Sequence, residues 1–380
     1  AHSWGPASYD PFELSEEGAL NFNLGATVMS QSLLSDAEGF LTYGWSQGNG
    51  HMVKGSLRYY GLGANLAVSG TYGGQQQVYT AYTYKLNPES GKYEIFFPEA
   101  PKQKRYYNIG VSASLPLYFQ RGHHTRVLVA NVAWNYSNGL VAKLDKLIIE
   151  GGQITNLATI GYTEGLHLLQ GGIGFQDQVM RSHKDFLPRF GYLLSANYAL
   201  NPANSAFGQL FSLYGKLYLP GVARHHSFNV AALYQNSIGG FESKLLASNF
   251  YFNSSRLIPR GFQVAEVENR HYFATSVNYQ LPVWYPDGGI NSVIYFKRVR
   301  VNLGFDYASF GKQYFEAYPD IDKVNLKQER KRIYSYGGDI TLDINLLRMP
   351  SAATTSVTFT LYKPHGKKGV HFAAGLGLPF

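Results

Sequence analysis

The feature that most constrains this chain is a two-residue period of apolar side chains that returns along most of its length. In the C-terminal segment Val370, Phe372, Ala374, Leu376, Leu378 and Phe380 share one face, and Gly369, His371, Ala373, Gly375, Gly377 and Pro379 share the other. Successive side chains of a strand point to opposite sides, so one face of this segment is wholly apolar. Upstream, Val357, Phe359 and Leu361 alternate with Ser356, Thr358, Thr360 and Tyr362. In the stripe before that, Tyr334, Tyr336, Ile340, Leu342, Ile344 and Leu346 alternate with Ser335, Asp339, Thr341, Asp343 and Asn345. This stripe opens on two tyrosines, whose rings combine an apolar body with a wet tip and favour a membrane–water interface.

The same period runs through Val293–Tyr307, Phe273–Val283 and Phe228–Tyr234. It continues less cleanly near 204–219, 185–199, 166–179, 125–137, 105–119, 62–73, 51–60, 37–47 and 20–30. About 15 strands emerge, and because single-chain bacterial barrels have an even number, 16 are expected, the missing one near the N-terminus. Short turns at Arg121–His124, Pro220–His225 and Met349–Ala353 alternate with long connections near 85–104, 138–165, 238–268 and 310–330. That asymmetry is the one between periplasmic turns and extracellular loops, and it places Phe380 at the periplasmic rim. Residues 1–18, with Pro6, Pro11, Glu13, Glu16 and Glu17, read as an irregular lead-in, and 19–380 as the barrel.

Composition separates the remaining fold classes. No run of about 18 apolar residues is present, which excludes a helical membrane protein; the mean hydropathy is −0.20. The 41 glycines, 30 tyrosines and 24 phenylalanines, with only 15% charged residues, are unusual for a soluble enzyme of 380 residues. A soluble β-sandwich would also alternate. Stripe length, aromatic stripe ends and opposite faces rich in Gly, Ser, Thr and Asn instead fit a wet lumen. The expected fold is therefore all-β, a transmembrane antiparallel β-barrel integral to a Gram-negative outer membrane. The absence of cysteine removes disulfides and thiolate metal sites. Ala1–Asp10 carry neither the basic nor the apolar region of an export signal, so a mature or trimmed chain is expected. The net charge of +8 favours anionic surfaces, and the expected ones are outer-membrane lipid and lipopolysaccharide, with no nucleic acid.

The richest segment reads Leu257-Ile258-Pro259-Arg260-Gly261-Phe262, followed by Tyr279-Gln280-Leu281-Pro282-Val283 and then Asn302-Leu303-Gly304-Phe305-Asp306-Tyr307-Ala308. Here the chain resembles the BamA-type barrel superfamily, also called the bacterial surface antigen family, which includes outer-membrane assembly factors and two-partner secretion transporters. In that family a long extracellular loop carries a Val/Ile-Arg-Gly-Phe/Tyr tip that folds back into the lumen. Its arginine contacts the aspartate of a Gly/Phe-x-Asp-x-Gly motif two strands later. Pro259, Arg260, Gly261 and Phe262 match the tip except at the first position, and Gly304 to Ala308 match the partner motif except at the last glycine. The resemblance covers roughly 220–380 by motif and the rest by strand pattern. Many members also carry a lumenal glutamate four residues before a proline; relative to Pro282 that position is Asn278, so the resemblance implies one carboxylate partner instead of two.

Alternation independently places Asp306 on the inward face, where such a pairing requires it. In Val293–Tyr307 the apolar face reads Val293, Tyr295, Val299, Val301, Leu303, Phe305 and Tyr307, with Lys297 the exception. Arg298, Arg300, Asn302, Gly304 and Asp306 are thereby forced inward. A carboxylate on that wall accepts a forked pair of hydrogen bonds from a guanidinium, and Gly261 lets the backbone turn sharply beside Arg260.

The terminal Gly375-Leu376-Gly377-Leu378-Pro379-Phe380 resembles the C-terminal signal by which barrels are recognised for insertion. The superfamily implies a weak seam between first and last strands, where Gly375 and Gly377 would loosen packing; an ordinary closed seam is the alternative. The resemblance implies a barrel that assists insertion or translocation of polypeptides, with unfolded barrel clients or a secreted polypeptide as partners. Members usually carry periplasmic domains ahead of the barrel, so the expectation is either that such a domain was cut away, leaving a missing periplasmic domain or partner, or that this is a barrel-only member with a different client or with lipid as its substrate. A passive channel for small solutes, or a lipid-handling barrel, is the alternative. No cofactor, metal site or enzymatic activity is expected, since no P-loop, zinc-protease or nucleophile-elbow motif occurs. His123-His124 and His225-His226 point to opposite faces as adjacent pairs and make poor chelators. They read as exposed turn residues or as contacts for headgroup phosphate. Lys102–Arg105 and Lys327–Arg332 read as solvated loops or as contacts for lipopolysaccharide phosphate.

Overall fold

The computed structural model describes residues 2–9, 23–46, 48, 50–79, 83–86, 93–96, 101–144, 148–150, 153–156, 160–179, 187–203, 209–238, 257–263, 266–267, 271–286, 288–290, 293–318, 323–346 and 355–377. The N-terminal strands are β1 (His2–Ser8), β2 (Asn23–Gln31), β3 (Ala37–Ser46), β4 (Gly50–Tyr59), β5 (Asn65–Gln75) and β6 (Val78–Tyr79). A small hairpin of β7 (Thr83–Leu86) and β8 (Tyr93–Phe96) precedes β9 (Arg105–Arg121) and β10 (His124–Leu144). A second, β11 (Ile148–Glu150) with β12 (Gln153–Asn156), precedes β13 (Ile160–Val179), β14 (Gly191–Leu200), β15 (Gln209–Pro220) and β16 (Ser227–Ile238). The C-terminal part holds β17 (Tyr272–Trp284), β18 (Gly288–Ile290), β19 (Ile294–Tyr318), β20 (Lys323–Leu346), β21 (Thr355–Pro364) and β22 (His371–Gly377).

Among the described residues, all strands but the two small hairpins belong to one 18-stranded sheet. Within it β6 runs parallel to β10 over two residue pairs and β18 folds back on β19. The other sixteen strands form an up-and-down antiparallel meander from β1 to β22, the connectivity of a β-barrel. Among the described residues β1 and β22 share no ladder, so the meander ends on two strand edges.

Two expectations are corrected here. The lead-in is not wholly irregular, because His2–Ser8 pairs with β2 across a register shift between Gly5 and Ala7. Its residues lack apolar alternation, and backbone pairing holds the strand, with Pro6 at the shift where no ladder donor is needed. Residues 10–18 lie outside the described residues. Segments 138–165 and 310–330 are also not simple loops. β10 and β13 pair as far as Leu144 and Ile160, and β19 and β20 as far as Tyr318 and Lys323. In these strand ends apolar residues stand side by side, as in Leu140-Val141-Ala142 and Tyr314-Phe315, so the two-residue period by which a strand is recognised is lost although the backbone ladder continues.

Ladder partners share a face, which sorts the side chains. Leu303, Ile340 and Phe359 are 55%, 54% and 47% exposed, and lie on the outer face. Asp306, Ser335 and Tyr362 are 3%, 0% and 0% exposed, and lie on the inner face. The expected inward set Arg298, Arg300, Asn302, Gly304 and Asp306 is therefore found there. Tyr295 is not on the outer face as expected. A bulge between Phe296 and Arg298 inserts Lys297 as an extra residue, so that Phe296 pairs with Ile344 and Tyr295 with Asn345. Short turns stand at Gly122–His123 and between Pro220 and Ser227, as read from the sequence, while Met349–Ala353 lies outside the described residues. β22 runs toward the rim that carries these turns.

The principal apolar cluster sits on the inner face of the C-terminal wall. It comprises Leu233, Val267, Tyr272, Ala274, Ala308, Phe310 and Ile333, with Leu257, Ile258 and Phe262 packed against it. The segment between β16 and β17 thus folds onto the inside of the sheet. An aqueous interior would not hold apolar side chains at this wall unless another segment covered them.

Candidate functional site: the Arg260 turn and its wall

Pro259 to Phe262 form a tight turn closed by the Phe262 N–H donating to the Pro259 carbonyl at 3.1 Å. Gly261 occupies its third position with φ at +92°, where a side chain would be strained. A β-carbon there would also come within 3.1 Å of Pro364 Cγ and 3.2 Å of His371 Cβ. Glycine is thus required twice, by conformation and by the close approach of the last hairpin. Pro259 is fully buried.

The turn projects Arg260 onto the wall formed by β17, β19, β20 and β21. Its Nε donates to Asp306 Oδ2 at 2.7 Å and its Nη2 to Asp306 Oδ1 at 2.9 Å, a forked pairing. The backbone N–H of Arg260 adds a third bond to Oδ2 at 3.1 Å. Nη2 also donates to Asn278 Oδ1 at 2.8 Å, and Nη1 to Asp339 Oδ2 at 3.1 Å. The guanidinium lies over the Tyr362 ring, 4.1 Å from its centre. The structure therefore gives Arg260 two carboxylate partners where the sequence implied one. Asp339, opposite Asn302 in the β19–β20 ladder, supplies the second charge from a different strand.

Neighbouring hydroxyls and amides satisfy the rest of these carboxylates. Asp306 accepts from Ser276 Oγ at 2.7 Å, and Asp339 from Asn302 Nδ2 at 2.7 Å and Tyr362 OH at 3.3 Å. Gly304 is the floor on which the guanidinium rests, since a β-carbon there would overlap both Arg260 Nη2 and the Tyr362 hydroxyl. Desolvating three charges is costly, and hydrogen bonds to the charged groups themselves offset it.

The far side of the turn is held by the β21–β22 hairpin. Lys367 Nζ donates to the Gly261 carbonyl at 3.0 Å and to Glu266 Oε1 at 2.7 Å, and stands 4.6 Å from the centre of the Phe262 ring. One turn of chain thus joins the body of the sheet to its last hairpin. A second inner-face cluster lies nearer the short-turn rim, where Arg298 and Arg300 both pair with Asp343.

Pro259, Arg260, Gly261, Phe262, Asn278, Gly304 and Asp306 are thus brought together. Gly375 and Gly377 lie apart from them on edge strand β22, where a β-carbon on Gly375 would meet nothing within 4 Å. Phe380 lies outside the described residues. Sequence reasoning missed Asp339, Tyr362 and Lys367. The first two stood on the polar face of their stripes, a usable signal, whereas Lys367 sits in a hairpin turn and carries none.

No family model and no curated protein matches this sequence. Among solved structures it is similar to CdiB from Acinetobacter baumannii, at 10% identity and a TM-score of 0.44 over 99% of this chain. It is similar also to the outer membrane transporter YddB from Escherichia coli, at 8% identity and a TM-score of 0.42 over 91% of this chain. The copper transporter OprC aligns at 9% identity and a TM-score of 0.40 over 97%. The chain spans 59%, 48% and 57% of those three proteins respectively.

Proposed function

We propose that this chain is an outer-membrane β-barrel of the BamA type that assists insertion or translocation of other polypeptides. The observation that carries this is the double attachment of the Arg260 turn. It is bound to the inner wall through Asp306, Asn278 and Asp339, and to the β21–β22 hairpin through Lys367. That hairpin ends on β22, which has no described ladder to β1. The turn thereby fixes the position of a strand whose outer-edge N–H and C=O groups, unpaired in any ladder among the described residues, can template a client strand.

The apolar outer face meets outer-membrane lipid, the long loops meet lipopolysaccharide, and the short-turn rim with β22 faces the periplasm. Clients are unfolded barrel chains or a secreted polypeptide, delivered by a periplasmic domain or partner. The work is mechanical, without a cofactor or bond-breaking chemistry. Its test is the folding of an unfolded model barrel into liposomes that hold this protein, its Arg260→Ala variant or an unrelated porin. Acceleration by the native protein alone supports the proposal, and equal rates in all three overturn it.

A further inference from the structure

A charged cluster lies on the outer face at the short-turn rim, where the sheet otherwise presents apolar side chains. Arg126 and Asp177 are ladder partners, one step rimward of the outer-face pair Leu128 and Phe175. Asp177 accepts from Arg126 Nε at 2.8 Å and hydrogen-bonds His124 Nδ1 at 2.8 Å. Its side chain is 8% exposed, while those of Arg126 and His124 are 39% and 40% exposed. Arg121, directly opposite His124 in the β9–β10 ladder, brings a further cation to the same face. One carboxylate thus holds two basic groups in place and leaves an excess of positive charge.

Directly beyond this cluster, away from the rim, an apolar groove opens on the outer face. Its walls include Phe175, Leu194, Leu213 and Phe273, and its floor is lowered at Gly215 and Ala232. Gly215 and Ala232 face each other in the β15–β16 ladder, and Gly215 also faces Leu194. Small residues on two adjacent strands make a trough in a surface that is otherwise covered by large side chains. A trough of this kind takes a flexible hydrocarbon chain, and the cations at its end take the group to which that chain is attached.

We infer that Arg121, His124 and Arg126 with the groove over Gly215 and Ala232 form a binding site for one anionic diacyl phospholipid of the periplasmic leaflet. The phosphate meets the three basic side chains and an acyl chain lies in the trough. Asp177 is a positioning residue, and because both its oxygens are engaged it offers little to the ammonium of a zwitterionic headgroup. The site rests on the membrane assignment proposed above but is independent of any role in polypeptide insertion.

The test is native mass spectrometry of the folded protein released from detergent micelles doped with dioleoylphosphatidylglycerol, dioleoylphosphatidylcholine or glycerol 3-phosphate. Folding of every variant is checked by heat-modifiable gel mobility. The native protein is expected to retain phosphatidylglycerol about fivefold more than phosphatidylcholine, the factor expected of one basic residue near a lipid surface. Glycerol 3-phosphate, which lacks the chains, is not retained. Arg121→Gln leaves the Asp177 contacts untouched and is expected to remove most of this preference, as is Arg126→Gln. Ala232→Phe fills the trough and lowers retention of both lipids. Equal retention of the two lipids by the native protein, undiminished preference in Arg121→Gln, or retention of glycerol 3-phosphate overturns the site. Failure of the native protein to enter lipid vesicles at all overturns the membrane assignment itself, and the site with it.

Discussion

Gly304 and Arg260 are in such close apposition that a β-carbon on the glycine would overlap Nη2 of the guanidinium. The glycine is separated from Arg260 by a whole loop and strand, yet the position of the arginine depends on its lacking a side chain. Gly304→Ala should therefore lift the guanidinium off Asp306 and leave that carboxylate buried without its partner. The expected cost is about 3–5 kcal/mol, the range for a broken buried ion pair. Urea unfolding of the protein in vesicles measures it, and a loss below about 1 kcal/mol would show that the turn has room to move.

Replacing Arg260 itself separates charge from geometry. Arg260→Lys keeps the positive charge but cannot serve two oxygens of Asp306 together with Asn278 and Asp339, so it should recover little of the stability lost in Arg260→Ala. The double substitution with Asp306→Ala should cost less than the sum of the single ones. A coupling of about 0.5–3 kcal/mol is expected for residues in direct contact. Strict additivity in the double-mutant cycle would contradict the pairing.

Lys367 presents a different case, because it and Glu266 are about one-third exposed, at 34% and 35%. Solvent screens such a pair, and Lys367→Ala should cost about 1 kcal/mol or less. Its effect should instead be local. The turn would stay on the wall through Arg260 while losing its hold on the last hairpin, so proteolysis within 257–267 should speed up with little change in global unfolding.

The outer face gives a test of surroundings. Ile340, 54% exposed between Val301 and Phe359, would lie in hydrocarbon. Ile340→Arg should then destabilise the vesicle-embedded protein by about 2–4 kcal/mol, the depth-dependent cost of arginine near the bilayer midplane. A negligible effect would place this face in water.

These residues also show how far sequence alone reaches. The alternation of Asn302, Gly304 and Asp306 with Leu303 and Phe305 fixed the inward face of β19, because the period of a strand is rigid. The pairing of Asp306 with Arg260 was legible only through resemblance to a family, since nothing local tells a loop which wall to meet. Asp339 and Tyr362 were visible as polar-face residues, but their convergence depends on the register of β19, β20 and β21, which no single stripe encodes. Tyr295 was misplaced because one inserted residue, Lys297, reverses the parity of what precedes it. A further strand was expected near the N-terminus, but β1 could not be located there for the opposite reason: its backbone pairs while its side chains carry no stripe.

Conductance of single molecules in a planar lipid bilayer tests most directly whether the Arg260 turn braces the interior. The native protein is expected to pass little steady current, and Arg260→Ala to show frequent large openings once the turn leaves its wall. Steady conductance by the native protein, unchanged in Arg260→Ala, would contradict this account and mark the barrel as a passive channel.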